Sequence, residues 1–247
     1  MRKIILILLL KGLCIYTVPV VEAQEARSSL EVLGGVGISD FTKKSKTQFL
    51  ETLDGFTNDQ IEIRESAFSP GLYASAEFRW IGHFDKFRFG LFIPISQYSA
   101  VFNSTTKRES LGWTHKKERV VMKEYKMGFG FNLQYSVFRW DEHHIQALGS
   151  IGVEFHLADA MEFEQEIRFH LNEEPAFYSF TESSRNKGRT LHFWNAGLGA
   201  SYAYEAGRLV PFSELGFRYV GEKRDDDLPR ENWKVFYLNL GLKWLIL

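Results

Sequence analysis

From Val121 to Val137 the side chains alternate in kind, and this period of two limits what the chain can fold into. The odd positions carry Val121, Lys123, Tyr125, Met127, Phe129, Phe131, Leu133, Tyr135 and Val137, while the even positions from Glu124 carry Glu, Lys, Gly, Gly, Asn, Gln and Ser. Successive side chains of a strand point to opposite faces, so such a run is a strand with one apolar face and one polar or very small face. The pattern recurs: Phe236, Leu238, Leu240, Leu242, Trp244 and Ile246 oppose Tyr237, Asn239, Gly241 and Lys243. Phe87 to Ser96, Leu72 to Trp80, Leu30 to Ile38, Ile145 to Leu157, Trp194 to Tyr204 and Leu209 to Tyr219 complete a set of eight runs. Pro211 suits the start of its strand, whereas Pro94 weakens the middle of another.

The connections alternate in length. Gly82 to Lys86, Arg139 to His144 and Glu205 to Arg208 are short; 40–70, 99–119, 159–190 and 221–232 are long. Short turns at one end and long polar loops at the other are the layout of an outer-membrane barrel, with an even strand number placing both chain ends on the turn side. The predicted fold is therefore all-β, an eight-stranded antiparallel up-and-down transmembrane β-barrel spanning 24–247.

Composition bears on which face meets lipid. A mean hydropathy of −0.22 excludes a polytopic helical membrane protein but averages over any period of two. The polar face is rich in glycine (Gly35, Gly37, Gly90, Gly128, Gly130, Gly152, Gly197, Gly199, Gly216 and Gly241), as the crowded interior of a narrow barrel requires. It also carries Glu77, Arg79, Arg88, Glu124, Lys126, Glu154, Glu214, Arg218 and Lys243, acids and bases in nearly equal number, expected to pair as a structural charge network across the lumen. Trp80, Phe87, Tyr135, Trp140, Tyr202, Tyr204 and Trp244 fall near the turn side, and Tyr98, Trp194, Tyr219, Trp233 and Phe236 near the loop side, as two interfacial girdles. The alternative is a soluble lipocalin-like barrel with its apolar face inside, which would leave the charged face as the exterior. A formal net charge of −1 gives no basic field for nucleic acid.

Met1 to Ala23 reads as a cleaved secretory signal: Arg2 and Lys3, an apolar run from Ile4 to Leu10, then Val21-Glu22-Ala23 before a cut near Ala23. The alternative is an uncleaved anchor helix, interrupted by Lys11. The one cysteine, Cys14, lies inside this segment behind Leu13, which argues against lipidation, and the mature chain then has no thiol chemistry.

Ser69-Pro70-Gly71-Leu72-Tyr73-Ala74, Val210-Pro211-Phe212-Ser213-Glu214-Leu215-Gly216-Phe217-Arg218-Tyr219 and Leu238-Asn239-Leu240-Gly241-Leu242-Lys243-Trp244 resemble PorT-like outer-membrane β-barrel proteins, a broad family that is also similar to the OmpA-like and OmpX-like barrels. The resemblance implies an outer-membrane location in a Gram-negative-type envelope and a part in assembly or secretion. Such barrels often end in a lipid-facing Phe; here Leu247 is out of phase and Ile246 in phase.

Eight-stranded barrels also include lipid A deacylases and acyltransferases, so an enzyme is the alternative class, and a narrow pore a third. A deacylase-type site places Ser two residues after His on one strand face. None of His83, His115, His143, His144, His156, His170 and His192 is followed that way. Glu154 and His156 share a lumen face, as an acid–base pair or as an interior hydrogen bond. His143 and His144 read as solvated turn residues, since adjacent imidazoles on an extended chain point apart. Asp225-Asp226-Asp227 lacks the spaced ligands of a calcium loop, and no metal or cofactor motif stands out. Lys107, Arg108, Lys116, Lys117 and Arg119 make the second loop basic, suited to lipopolysaccharide phosphates.

The third loop carries more pattern. Met161, Phe163, Ile167, Phe169 and Leu171 alternate with Glu162, Glu164, Glu166, Arg168 and His170, and a turn at Asn172 to Pro175 precedes Phe177-Tyr178-Ser179-Phe180. This predicts a projecting hairpin whose edge either recruits a protein partner by strand addition or extends the barrel wall, with Phe163, Ile167, Phe169, Phe177 and Tyr178 as the candidate partner-binding residues. The expected protein is a monomer without cofactor, embedded in outer-membrane lipid and lipopolysaccharide. Its expected role is non-catalytic, in envelope support, binding or assembly.

Overall fold

A computed structural model describes residues 28–47, 63–107, 113–171, 174–187, 192–223 and 232–246. The signal segment 1–23 and Asp225 to Asp227 lie outside them. Nine strands follow in chain order: β1 (Ser28–Phe41), β2 (Ile63–Phe84), β3 (Phe87–Lys107), β4 (Trp113–Trp140), β5 (His143–Leu171), β6 (Glu174–Lys187), β7 (His192–Tyr204), β8 (Leu209–Lys223) and β9 (Trp233–Ile246). Every pairing is antiparallel, and eight strands form a ring in the order β4-β3-β2-β1-β9-β8-β7-β5, closed by β4 against β5. Among the described residues the ninth, β6, pairs β5 alone.

Closure gives each ring strand a partner on both sides, so backbone groups in the ring need no water. Side-chain alternation then separates the two faces. Outside, Leu72 is 74% exposed, Leu198 72% and Leu240 66%, within a continuous belt that includes Phe89, Ile93, Phe129, Phe131 and Leu215. Inside, Arg79, Lys126, Glu154, Glu214 and Arg218 are buried. An apolar exterior around a charged interior is the reverse of a soluble barrel, and the chain is a transmembrane β-barrel. Among the described residues no helix is long and apolar enough to cross a membrane.

The ring is narrow enough for glycine to be required. Gly130 and Gly152 face each other across β4 and β5, and a Cβ on Gly130 would lie 2.6 Å from the Phe92 ring and 2.7 Å from Gly152 Cα. Phe92, fully buried, fills the space the two glycines leave.

The turns match expectation. Phe84 pairs Phe87 and Trp140 pairs His143, so two-residue turns close both hairpins. Their first residues, Asp85 and Asp141, take φ of 50° and 48°, a left-handed conformation that Asp tolerates better than most non-glycine residues.

The far ends differ from the sequence reading, which stops its strands at 40, 99, 159 and 221. β1, β7, β8 and β9 are 13–15 residues long, but β2 to β5 run to 22, 21, 28 and 29. At about 3.3 Å per residue β4 extends roughly 90 Å, against about 30 Å of hydrocarbon. Much of the spans 40–70, 99–119 and 159–190 is therefore sheet. Past the rim β6 takes the place of β7 on β5: Phe155 pairs His192, and from Ala158 onward the partner is β6, beginning with Lys187. The result is a tall wall of β2, β3, β4, β5 and β6 on one side of a short barrel.

Two girdle assignments are corrected as well. Tyr98 and Trp233 are fully buried and point into the lumen, because each shares the parity of its strand's inward residues, Ser96 and Val235. Trp80, Phe87, Tyr135, Trp140, Tyr202, Tyr204, Trp244, Trp194 and Phe236 are exposed as expected, and Tyr219 is half-buried.

Arginine in place of Phe129 or Leu240 should cost about 2–4 kcal/mol in bilayer unfolding titrations, because both would place a cation in hydrocarbon. Gly130→Leu should destabilise too, through collision with Phe92 and the β5 backbone; unchanged midpoints for all three variants would reverse the facing.

Candidate functional site

Three layers of side chains fill the lumen. On the turn side Leu33, Ala203, Val210 and Phe212 form a small apolar cluster. On the loop side Phe41, Tyr73, Tyr98, Phe193, Trp233 and Tyr237 form an aromatic one. Between them lies the charge network.

Arg79 is its hub. The guanidinium lies on Glu214, with Nη2 donating to Oε2 at 2.8 Å and Nη1 to Oε1, while Nε donates to Glu77 at 2.5 Å. Arg218 Nη2 reaches the other Glu77 oxygen at 3.0 Å. Lys243 lies 3.2 Å from Glu31, which also sits 3.6 Å from Arg79. Glu154 accepts from Tyr98 Oη at 2.7 Å and Asn195 Nδ2 at 2.9 Å. Burying isolated charges costs several kcal/mol each, and multiple contacts on each carboxylate offset that cost.

Lys126 pairs with Glu124 and places its ammonium 3.7 Å from the Phe193 ring centroid, 4.7 Å from Tyr98 and 5.4 Å from Trp233. β4 and β9 are diametrically opposite in the ring, so the Lys126–Trp233 contact bridges the whole lumen. Arg218 over Phe92 does the same between β8 and β3.

All nine charged residues singled out from sequence are buried. Eight gather in this layered interior; the ninth, Arg88, sits lower, at the turn-side mouth. Glu31, Glu205 and Glu222 were missed, the last with the inward parity of Arg218 and Val220. Glu31 has the inward parity of Leu33 and Gly35 and was readable from alternation. Glu205 lies in the β7–β8 turn, where no period exists to read.

Around Glu205 is a second cluster. Ser136 Oγ is 2.7 Å from His144 Nε2, and His144 Nδ1 is 3.4 Å from Glu205 Oε1. Arg88 Nη1 donates to the same Glu205 oxygen at 3.1 Å, and its Nη2 lies 3.2 Å from His144 Nδ1. The chain reaches this arrangement through a bulge: Ser136 pairs Gln146 and Phe138 pairs Ile145, leaving Val137 as the extra residue. His144 is thus not a solvated turn residue, because its inward parity carries the ring under the barrel mouth, 2% exposed. His143 faces the other way, stacked on Trp140 with Nδ1 2.6 Å from Tyr202 Oη. No sequence spacing announces the cluster, since Ser136 and His144 meet only across the hairpin register.

Partial burial pushes the Glu205 carboxyl up, but the hydrogen bond with His144 and the charges of Arg88 and Lys243 outweigh it and hold the group well below the usual range.

At the loop-side rim His156 and Glu154 are both buried but do not serve each other: His156 Nε2 bonds Asp159. Higher up, the basic loop becomes β4, and acids of β5 neutralise it: Arg119 pairs Glu164 at 3.0 Å and Lys123 pairs Glu162 at 2.5 Å, while Lys116 pairs Glu118 on its own strand at 2.5 Å. Two of the five basic residues expected to suit lipopolysaccharide phosphates, Lys116 and Arg119, are thus paired, Lys117 is exposed, and the side chains of Lys107 and Arg108 lie outside those described. A cavity of about 520 Å³ in this wall is lined by Asn103, Thr105, Lys117, Arg119 and Glu164 among others. Of the candidate partner-binding residues, Phe163 is half-buried, and the side chains of Ile167, Phe169, Phe177 and Tyr178 lie outside those described, though their backbone forms the predicted β5–β6 hairpin. Among the described residues no three His, Cys, Asp or Glu side chains gather as a metal site.

No family model matches the chain, and no curated protein matches it. Among solved structures it is similar to Ail, the attachment invasion locus protein of Yersinia pestis (14% identity, 90% of this chain and 100% of that one, TM-score 0.35). It is also similar to Neisserial surface protein A (10%, 89% and 99%, 0.34) and to the outer membrane protease OmpT of Escherichia coli (8%, 90% and 97%, 0.37). These likenesses are loose, and the fold assignment stands on the strand pairing itself.

Removing one partner of the hub should be costly. Glu214→Ala leaves Arg79 short of its bidentate carboxylate and should lose about 3–5 kcal/mol in guanidinium unfolding, whereas the paired replacement R79M/E214L should lose less. Glu205 predicts an acid limb: with its folded pKa depressed below the ordinary 4.5, its stabilisation is present above that value and is lost as pH falls through the folded pKa. The wild-type advantage over Glu205→Gln should therefore be flat at neutral pH and shrink below about pH 4.5; a gap that widens with acid would contradict it.

Proposed function

We propose that this is an outer-membrane barrel that works by binding at its tall wall rather than by transport through its lumen. The observation that carries the reading is the contrast between a blocked interior and an open sheet above it. Arg79, Arg218 and Lys126 reach across the lumen to partners on other strands, which supports a plug and argues against the narrow-pore alternative. Above the rim, β6 has one strand neighbour among the described residues, β5, and its second edge is then offered to whatever lies alongside. An edge of this kind takes an added strand from another chain through main-chain hydrogen bonds. Thr181 to Ser184 are exposed on β6. A role in envelope support, or in assembly or secretion as the PorT-like resemblance implies, fits a protein that holds a partner beside the membrane. The apolar belt and the short-turn, long-wall layout are those of barrels in a Gram-negative-type outer membrane, with lipopolysaccharide around the wall.

Photo-crosslinking groups at Thr181, Ser183 and, as a lipid-facing control, Leu215 test this in intact cells. Protein adducts at the β6 positions above the control are expected; adducts no more frequent there than at Leu215 would remove the binding role. Planar-bilayer recordings should show no stable open channel.

A further inference from the structure

We propose that Ser136, His144 and Glu205 form a hydrolytic triad at the turn-side mouth of the barrel, acting on carboxylic esters. This goes beyond the binding role, which concerns the opposite end of the molecule. It also gives the enzyme alternative a set of residues that the search for Ser and His on one strand does not find.

The geometry is that of nucleophile, base and orienting acid. Ser136 Oγ lies at 2.7 Å from His144 Nε2, and the other ring nitrogen faces Glu205 at 3.4 Å. Exposure is graded in the sense catalysis needs: the His144 and Glu205 side chains are 2% and 6% exposed, whereas Ser136 is only half-buried. The order of roles follows from the groups themselves. An ionised Glu205 accepts Nδ1–H, which leaves Nε2 with its lone pair toward the serine hydroxyl. Arg88 competes for that arrangement, since its Nη2 is 3.2 Å from Nδ1. Its Nη1, however, is 3.1 Å from Glu205, and the Gln146 side-chain carbonyl oxygen, turned toward it, accepts from its Nε and Nη1 at 3.3 and 3.2 Å. With Nε and Nη1 so held, the triad requires His144 to present Nδ1–H to Glu205 Oε1, which it then shares with Arg88 Nη1, in place of the contact with Nη2.

The reaction balances with water as the only co-reactant. Ser136 Oγ forms a bond to the ester carbonyl carbon and passes its proton to His144 Nε2. The carbon–oxygen bond to the alcohol breaks, and the leaving oxygen takes that proton, leaving an acyl-serine. Water then attacks the acyl carbon and gives a proton to Nε2. The acyl–Oγ bond breaks, the carboxylic acid leaves, and the proton returns to Oγ.

The surroundings suit an acyl group. Ala203, the register partner of His144, belongs to the apolar cluster with Leu33, Val210 and Phe212, so an apolar surface begins beside the imidazole. On the outer side of the same strand end, Tyr135, Val137, Phe138 and Trp140 face the bilayer. Arg139, with a half-exposed guanidinium 3.5 Å from Glu205, supplies a cation at the rim. An ester can arrive from the aqueous side or from the bordering lipid leaflet, and the chemistry is shared.

The refolded full chain, its fold checked by heat-modifiable gel migration, is treated with a fluorophosphonate probe and mapped by peptide mass. It is then assayed on p-nitrophenyl butyrate and on phosphatidylglycerol–phosphatidylethanolamine vesicles carrying a fluorogenic phospholipid. Probe on Ser136 and hydrolysis reduced at least ten-fold by Ser136→Ala and His144→Gln are expected. Cleavage of the soluble ester alone assigns an aqueous substrate, and cleavage in vesicles assigns a bilayer lipid. A folded wild-type barrel whose Ser136 stays unlabelled, or is labelled while neither ester is cleaved, overturns the proposal; both readings need no variant to fold.

Discussion

The structure depends on the pairing of β4 with β5. These strands are consecutive, joined by a two-residue turn, and together they close a sheet that otherwise runs from β4 through β1 and β9 to β5. Without that seam the sheet has two edges of unpaired N–H and C=O groups, which hydrocarbon cannot hydrate. With it, every transmembrane strand is saturated. The same seam is also the longest, from the Trp140–His143 pair to Trp113–Phe169, so it carries the closure of the barrel upward into the wall.

Closure with eight strands leaves little interior, and the composition of that interior follows. Glycines at Gly130 and Gly152 let Phe92 lie against the wall, while Arg and Glu fill the middle with pairs whose contacts cross from strand to strand. A network with Arg79 on Glu214, Glu77 and Glu31 ties β2 to β8 and β1, which are not all neighbours in the ring. The network therefore fixes relative strand positions by side chains as well as by the backbone ladder. The apolar layers at either end keep water from the pairs, and low local polarity makes each well-made pair stronger and each broken one more expensive.

Alternation made the ring legible in the sequence, and where alternation fails, so does the reading. The eight runs, their short turns and the nine inward charges are all statements of parity. Glu31 obeyed the same parity and was overlooked; Tyr98 and Trp233 obeyed it and were assigned outward because their ring type suggested an interface. The wall was harder. The bulge at Leu157, between the Tyr125–Ala158 and Lys126–His156 pairs, reverses β5. Below it even residues such as Glu154 point inward; above it Glu162 and Glu164 point outward to Lys123 and Arg119. A polar segment whose charges answer those of a neighbouring strand reads as loop until the neighbour is known. The Ser136–His144–Glu205 cluster was illegible for the same reason: it assembles from a bulge, a hairpin register and an aperiodic turn.

Side chains cross the middle of the lumen, and the two ends of the molecule are built differently. The wall pairs charges across its strands in Arg119–Glu164 and Lys123–Glu162, with Lys117 exposed between the paired residues of β4. Exposed pairs like these contribute little to stability. At the mouth the opposite holds. Arg88, His144 and Glu205 are enclosed, mutually oriented and within reach of one half-buried hydroxyl. Recognition by backbone tolerates many partners, whereas chemistry needs a few groups held closely, and a barrel made rigid by closure can hold both without either constraining the other.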